Sequence, residues 1–199
     1  MTLVEERVAS EELAVARRAM IESQLRVSGV NDLAILSAFA AIAREDYVPA
    51  EKRAIAYMDR AVPLGDGTVL APALTHGQML TAAEPVAEDR VLVIGKPGAY
   101  LAAVTAKVAG KVTVAAPDAD WNAGAPYSLV LIDGAIEEAP AKLGAVLADG
   151  GRIVTGLIER GVPRLAIGRK VAGELSFTVL GEADFAALGE FAAKKTWSF

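Results

Sequence analysis

A chain of 199 residues, 53% of them hydrophobic, is long enough for one domain with a sizeable core and too apolar to be disordered. Its formal net charge of −5, with Lys and Arg scattered, argues against the basic face that nucleic acid requires. Cysteine is absent, which excludes disulfides, thiolate zinc sites and cysteine nucleophiles.

No apolar run reaches bilayer length. The start, MTLVEERVASEE, lacks the basic-then-apolar pattern of a secretory signal. A cytoplasmic protein without membrane or nucleic-acid partners is expected, and nothing in the sequence sets an oligomeric state. One domain spans 1–199. It divides into an N-terminal section (1–87), a strand–helix core (88–160) and a C-terminal edge (161–199).

In chain order, Ser10 is placed to cap a helix that opens with Glu11 and Glu12, where the helix dipole favours negative charge. Leu13, Ala16, Met20 and Val27 form its apolar stripe, and Ser28-Gly29 breaks it. A second helix fits Asp32 to Arg44, capped by Asn31, and Pro49 ends that region. The run from Ala61 to Ala73 is extended and punctuated by Pro63, Gly65, Gly67 and Pro72. A helix then suits Leu74 to Ala83.

VLVIG, starting at Val91, is a continuous apolar run and predicts a strand buried on both faces. AYLAAVTAKVAG predicts a helix closed by Gly110. KVTVAA and YSLVLIDG predict two more strands, Ala139 to Leu147 a helix, and RIVTGLI a fourth strand. This alternation implies parallel pairing with right-handed crossovers. LAIGRKVAG and ELSFTVL, close together, predict an antiparallel pair at a sheet edge. The expected fold is α/β: an open, mostly parallel Rossmann-like sheet with helices on both faces, after a helical N-terminal section.

In such sheets ligands sit beyond the carboxyl ends of the strands, often on the first strand-to-helix turn. That turn reads GKPGAY here. Only Gly95 and Gly98 remain as glycines, Pro97 removes a backbone donor, and Ala99 adds a methyl group. The second strand ends VAAPDAD, so the position of a ribose-holding carboxylate falls on Ala115 or Ala116, with Asp118 as a possible substitute.

The order of these segments resembles the protein-L-isoaspartate O-methyltransferase family over most of the chain. RRAMIESQLRVSGVNDLAIL is similar to that family's opening helices. AREDYVP is similar to its Arg-Glu-x-aromatic-Val-Pro segment, with Ala43 in place of a proline. AYMDRAVPLGDG is similar to its Ala-Tyr-x-Asp run. VLVIGKPGAYLAAVTAKVAGKV follows its cofactor motif, and YSLVLIDGAIEEAP and LADGGRIV its later strands. The last forty or so residues resemble it only loosely.

The resemblance implies a methyltransferase fold, S-adenosylmethionine as cofactor, and isoaspartyl residues of damaged proteins or peptides as substrate. It places cofactor contacts at Gly95, Lys96, Gly98, Tyr100, Asp118 and Asp133. It leaves no clear catalytic residue. The family's serine falls on Leu70 or Ala71, depending on whether Pro72 or Ala73 takes the proline position, and Thr68 and Asp59 are weak candidates nearby. Val93 stands where the family has an acidic residue.

A ligand's unmatched polar group costs about 1–3 kcal/mol. Several such losses predict weak or absent methylation, with a non-catalytic binding or regulatory role as the alternative. NAD-linked redox chemistry fits poorly, since the glycine fingerprint is broken.

Each residue also has a plain reading. Gly95 and Gly98 shape a tight turn, and Lys96 points to solvent. Asp133 faces the crevice or starts an Asp-Gly turn. Tyr57 and Asp59 serve packing and a turn. His76, the single histidine, is structural or exposed, and no spacing marks a base or metal pair. Glu137 and Glu138 form a solvated helix start. Trp197 and Phe199 cover an edge of the core or form a contact site.

Overall fold

The computed structural model describes residues 3–96 and 98–193, with the backbone only for 3–7 and 9. Trp197 and Phe199 lie outside the described residues.

Helix α1 runs from Leu3 to Met20, so Ser10 lies inside it and caps nothing. The residues ahead of Ser10 include Leu, Glu and Arg, good helix formers with no Gly or Pro to stop the helix. The coil then widens over Ile21–Leu25, tightens over Arg26–Ser28 and stops at Gly29, whose φ of 91° is left-handed. Helix α2 (Leu33–Ala41) is capped by Asp32 rather than Asn31. The Asp32 carboxylate accepts from Ala34 N at 2.8 Å and Ile35 N at 2.9 Å. It ends before Arg44, which opens a short 3-10 turn over Arg44–Tyr47.

The extended run from Ala61 contains a small hairpin, β1 (Val62–Pro63) and β2 (Val69–Leu70). Helix α3 (Ala73–Ala83) follows, one residue longer than expected.

The main sheet is built from β3 (Arg90–Ile94), β4 (Lys111–Ala115), β5 (Tyr127–Ile136), β6 (Leu147–Glu159), β7 (Val162–Val171) and β8 (Glu174–Glu182). The spatial order is β4-β3-β5-β6-β7-β8. The four strands β4, β3, β5 and β6 pair in parallel, and β7 and β8 add the antiparallel edge that their short link predicts. Strand β3 is buried from Val91 to Ile94, as its unbroken apolar run requires.

Two helices are shorter than the sequence suggests. Helix α4 covers Tyr100–Thr105 and continues only as turns. Gly110 does not close it as a cap. A Cβ there would lie 2.1 Å from the Ala87 carbonyl oxygen, so glycine permits a close chain crossing. Helix α5 covers Ala141–Val146, with Pro140 ahead of it. Glu137 and Glu138 therefore precede the helix. Their amides donate to the Phe191 carbonyl, and their side chains are exposed.

Each face of the sheet carries its own core. On one side α2, α3 and α4 cover Val91, Val93, Leu129 and Leu131. On the other, Leu92, Ile94, Val130 and Ile132 pack against α5, Trp121 and Phe191. Trp121 comes from the link between β4 and β5, residues 116–126, which crosses the sheet with no helix. Among the described residues, no helix is long and apolar enough to cross a membrane.

Candidate functional site

Strand β3 connects outward to β4 on one side, while β5 lies on its other side. The order of the sheet therefore reverses between β3 and β5, which is where open α/β sheets bind ligands. Gly95 follows the last residue of β3, and Asp133 lies beside it within β5. A Cβ on Gly95 would come within 3.1 Å of the Asp133 Cβ, tighter than ordinary van der Waals contact, so glycine eases the close approach here. Asp133 faces the crevice, while its backbone still belongs to β5.

Beside this junction is a cavity of about 260 Å³. Its walls come from Tyr47, Val48 and Pro49, from the β1–β2 hairpin (Leu64, Val69, Leu70), and from the turn after β3 (Lys96, Gly98, Ala99, Tyr100), with Asp133 of β5. Lys96 forms an ion pair with Asp66 of the hairpin, tying the two loops together. Hydrogen bonds from Lys96 and from Thr68 hold the Asp66 carboxyl well below the usual carboxylate range.

Behind the cavity lies a buried polar group. Asp133 Oδ1 is 2.9 Å from His76 Nε2. His76 is fully buried, and its Nδ1 has no hydrogen-bond partner among the described residues. The Tyr100 ring is packed by Phe39, Tyr47 and His76, and the Arg44 guanidinium sits 5.1 Å from its centroid. Burial pushes the Tyr100 phenol pKa up and the Arg44 pKa down. Arg44 donates from Nε to Ala56 O at 2.7 Å and from Nη2 to Ala71 O at 2.6 Å. Arg44 Nη1 and the Tyr100 hydroxyl are buried without partners among the described residues.

A second network braces these segments from outside. The Tyr57 hydroxyl donates to Glu45 and accepts from Arg17 Nε at 2.7 Å and Arg44 N at 3.2 Å. Arg17 also pairs with Glu45 at 2.9 Å. Burial and the bond to Glu45 raise the Tyr57 pKa to about 12. Tyr57 is thus a packing and bracing residue, and Asp59 is exposed.

The structure therefore brings Lys96, Gly98, Tyr100 and Asp133 together around the cavity, with Gly95 at its back. Leu70 lines the cavity, and Ala71 contributes its carbonyl to Arg44. Thr68 bonds Asp66 in the hairpin turn. Asp118 is exposed on the turn after β4, and the cavity walls do not include it.

The sequence reading missed the His76–Asp133 pair and the buried Arg44. The pair joins residues 57 apart in the chain, on a helix and a strand, and no local spacing signals it.

At the end of β4 the backbone is committed to internal contacts. Trp121 Nε1 donates to Ala116 O at 3.0 Å. Lys142 of α5 donates to Pro117 O at 3.1 Å and Ala119 O at 3.3 Å, and its Nζ lies 3.6 Å from the Trp121 ring centroid.

The family model for protein-L-isoaspartate(D-aspartate) O-methyltransferase (PCMT) matches residues 16–118. The chain belongs to this family. A protein-L-isoaspartate O-methyltransferase of Koribacter versatilis is 29% identical over 202 residues, covering 88% of this chain and 91% of its own. One from Roseiflexus castenholzii is 32% identical over 165 residues, covering 69% and 75%. A solved Plasmodium falciparum protein, described as a putative member in complex with S-adenosyl-L-homocysteine, superposes with a TM-score of 0.73 at 15% identity. It covers 87% of this chain and 98% of its own, and supports the shared fold. The expected family and the α/β architecture are both borne out.

Proposed function

We propose that this family member methylates isoaspartyl carboxylates of proteins or peptides weakly or not at all, and that S-adenosylmethionine is a poor ligand for it. The relatives are named for isoaspartyl methylation, and the Plasmodium neighbour was solved with the demethylated cofactor. Those descriptions suggest the ancestral chemistry.

One observation carries the proposed loss. Where a ribose would need a carboxylate at the end of β4, Ala115 and Ala116 stand instead, and Trp121 and Lys142 take the following carbonyls. The residues present do not fit the nucleoside half of the cofactor. The cavity on the other side of the crevice does not compensate. At about 260 Å³ it falls below the roughly 300–1,000 Å³ of drug-sized ligand pockets. No hydroxyl side chain occupies Leu70 or Ala71 to orient a substrate carboxylate, and methyl transfer depends on such positioning.

A non-catalytic binding role is the second reading. It is favoured by the polar groups retained at the cavity, Lys96, Tyr100 and Asp133.

The test is methyl transfer from radiolabelled S-adenosylmethionine to an isoaspartyl peptide, run beside the Koribacter relative. Turnover at least about thirtyfold below the relative is expected, since two or more lost contacts of about 1–3 kcal/mol multiply. Turnover within about tenfold of the relative overturns the reading.

A further inference from the structure

We propose that Asp149, in the turn that opens β6, is a site of spontaneous modification, where the bond to Gly150 rearranges to an isoaspartyl linkage as the protein ages. The chemistry is intramolecular, so it holds whether or not the chain transfers methyl groups.

The sequence has three Asp-Gly pairs, at Asp66, Asp133 and Asp149. Such pairs are prone to the rearrangement because it begins with attack by the backbone nitrogen of the following residue. Glycine leaves that nitrogen unhindered and the chain around it free to turn. The two asparagines, which undergo the related reaction, precede Asp32 and Ala123, whose side chains crowd the nitrogen.

The fold separates the three pairs. Asp66 is exposed, but its carboxylate accepts from Thr68 N at 3.1 Å and from the Thr68 hydroxyl, and it pairs with Lys96. Asp133 lies within β5, and His76 holds its Oδ1 at 2.9 Å. Both carboxyl groups are thus fixed on other partners. Asp149 and Gly150 are exposed. The ladder between β5 and β6 passes from the pair Tyr127 and Leu147 to the pair Leu129 and Arg152, and the pairing of β6 with β7 begins at Arg152. Residues 148–151 therefore stand outside both ladders. Gly150 has a φ of 75° with open space around it. Gly173 N reaches the Asp149 carboxylate only at 3.4 Å, too long for a strong hydrogen bond.

In the first step the Gly150 nitrogen attacks Asp149 Cγ. A C–N bond forms, the amide proton and the carboxyl OH leave as water, and a five-membered succinimide closes. Water then adds to the former main-chain carbonyl of Asp149, and the bond from that carbonyl to nitrogen breaks. The chain now passes through Cγ, and the former carbonyl is a free carboxylate. One water leaves and one returns, so no oxidant, reductant or further reactant is needed. Both flanks of the turn are anchored: Lys170 Nζ donates to Leu147 O at 2.8 Å, and Arg152 pairs with Asp89 at 2.6 Å. The methylene added to the main chain stays within the turn, and the sheet persists.

The test is incubation of the folded full chain for several weeks at neutral pH and physiological temperature, without S-adenosylmethionine. Peptide mass spectrometry follows, with fragmentation that distinguishes the isoaspartyl linkage. The linkage is expected to form at Asp149 about tenfold or more faster than at Asp66 or Asp133, as expected for a free against a restrained backbone. In guanidinium chloride the three rates should converge to within about threefold, because the restraints are gone. Asp149→Glu, which would have to close a six-membered ring, should lose the product at this position. Thermal melting confirms that the variant and the aged protein are folded.

Absence of the linkage at Asp149 in the aged, folded protein overturns the inference. So does as much product at Asp66 or Asp133. A bias toward Asp149 that survives unfolding also overturns it, since local sequence and not the fold would then select the site.

Discussion

His76 on α3 and Asp133 on β5 meet at 2.9 Å behind the crevice, fixing a carboxylate at the point where the sheet reverses its order. The imidazole is fully buried, while the Asp133 side chain is 15% exposed, toward the cavity. Replacing His76 by Ala leaves that carboxylate without its partner and a gap beneath Tyr100. A loss of about 1–3 kcal/mol in urea denaturation is expected. An unchanged midpoint would show that the pair contributes nothing to stability.

Three glycines, two in the turn after β3 and one ahead of β4, make a graded prediction. Gly95→Ala pushes a methyl group to 3.1 Å from the Asp133 Cβ and is expected to cost about 1–3 kcal/mol. Gly98 has a φ of 76° but open space around it, so Gly98→Ala should cost about 1–2 kcal/mol through backbone strain alone. Gly110→Ala drives a Cβ to 2.1 Å from the Ala87 carbonyl oxygen and should be the most damaging, at about 3 kcal/mol or more. Denaturation midpoints in the order Gly98→Ala, Gly95→Ala, Gly110→Ala, from mild to severe, check this.

Asp89 sets the acid response. Burial pushes its carboxyl pKa up, but hydrogen bonds from Arg152, Ser128 and the Val86 amide outweigh that and leave it below the ordinary value. A carboxyl depressed on folding adds stability above its unfolded pKa and loses it as pH falls through the folded one. Asp89→Asn should therefore cost about 3 kcal/mol at neutral pH by breaking the pair with Arg152. The gap between variant and native protein should narrow in acid. Urea denaturation at neutral pH and below pH 4 compares the two, and a gap constant with pH would refute the assignment.

Trp121 closes the second face. Its ring packs on Phe191 at 6.1 Å, and its N–H holds Ala116 O. Trp121→Ala should cost about 3–5 kcal/mol. The measurement is thermal or urea unfolding.

The strands themselves and their mostly parallel pairing were legible before the structure, because buried parallel strands write themselves as unbroken apolar runs such as VLVI and LVLI; their spatial order was not. The β4–β5 link, residues 116–126, carries no helix, which the reading of alternating strands and helices did not single out. What that link does was not legible, because the place of Trp121 depends on α5 and Phe191 from far along the chain. Helix ends went astray for local reasons. Asn31 and Asp32 are both good caps, and only the backbone entering α2 chooses between them.

By itself, the sequence determined the family, the alternation of strands and helices, and the absence of cysteine chemistry, because these depend on residue type and local period. Tertiary structure alone decided that His76 is buried against Asp133, that Arg44 lies under Tyr100, and that Asp118 stays outside the cavity. Each of these joins or separates segments distant in sequence. The energy of a buried charge or hydrogen bond depends on what the rest of the chain packs around it.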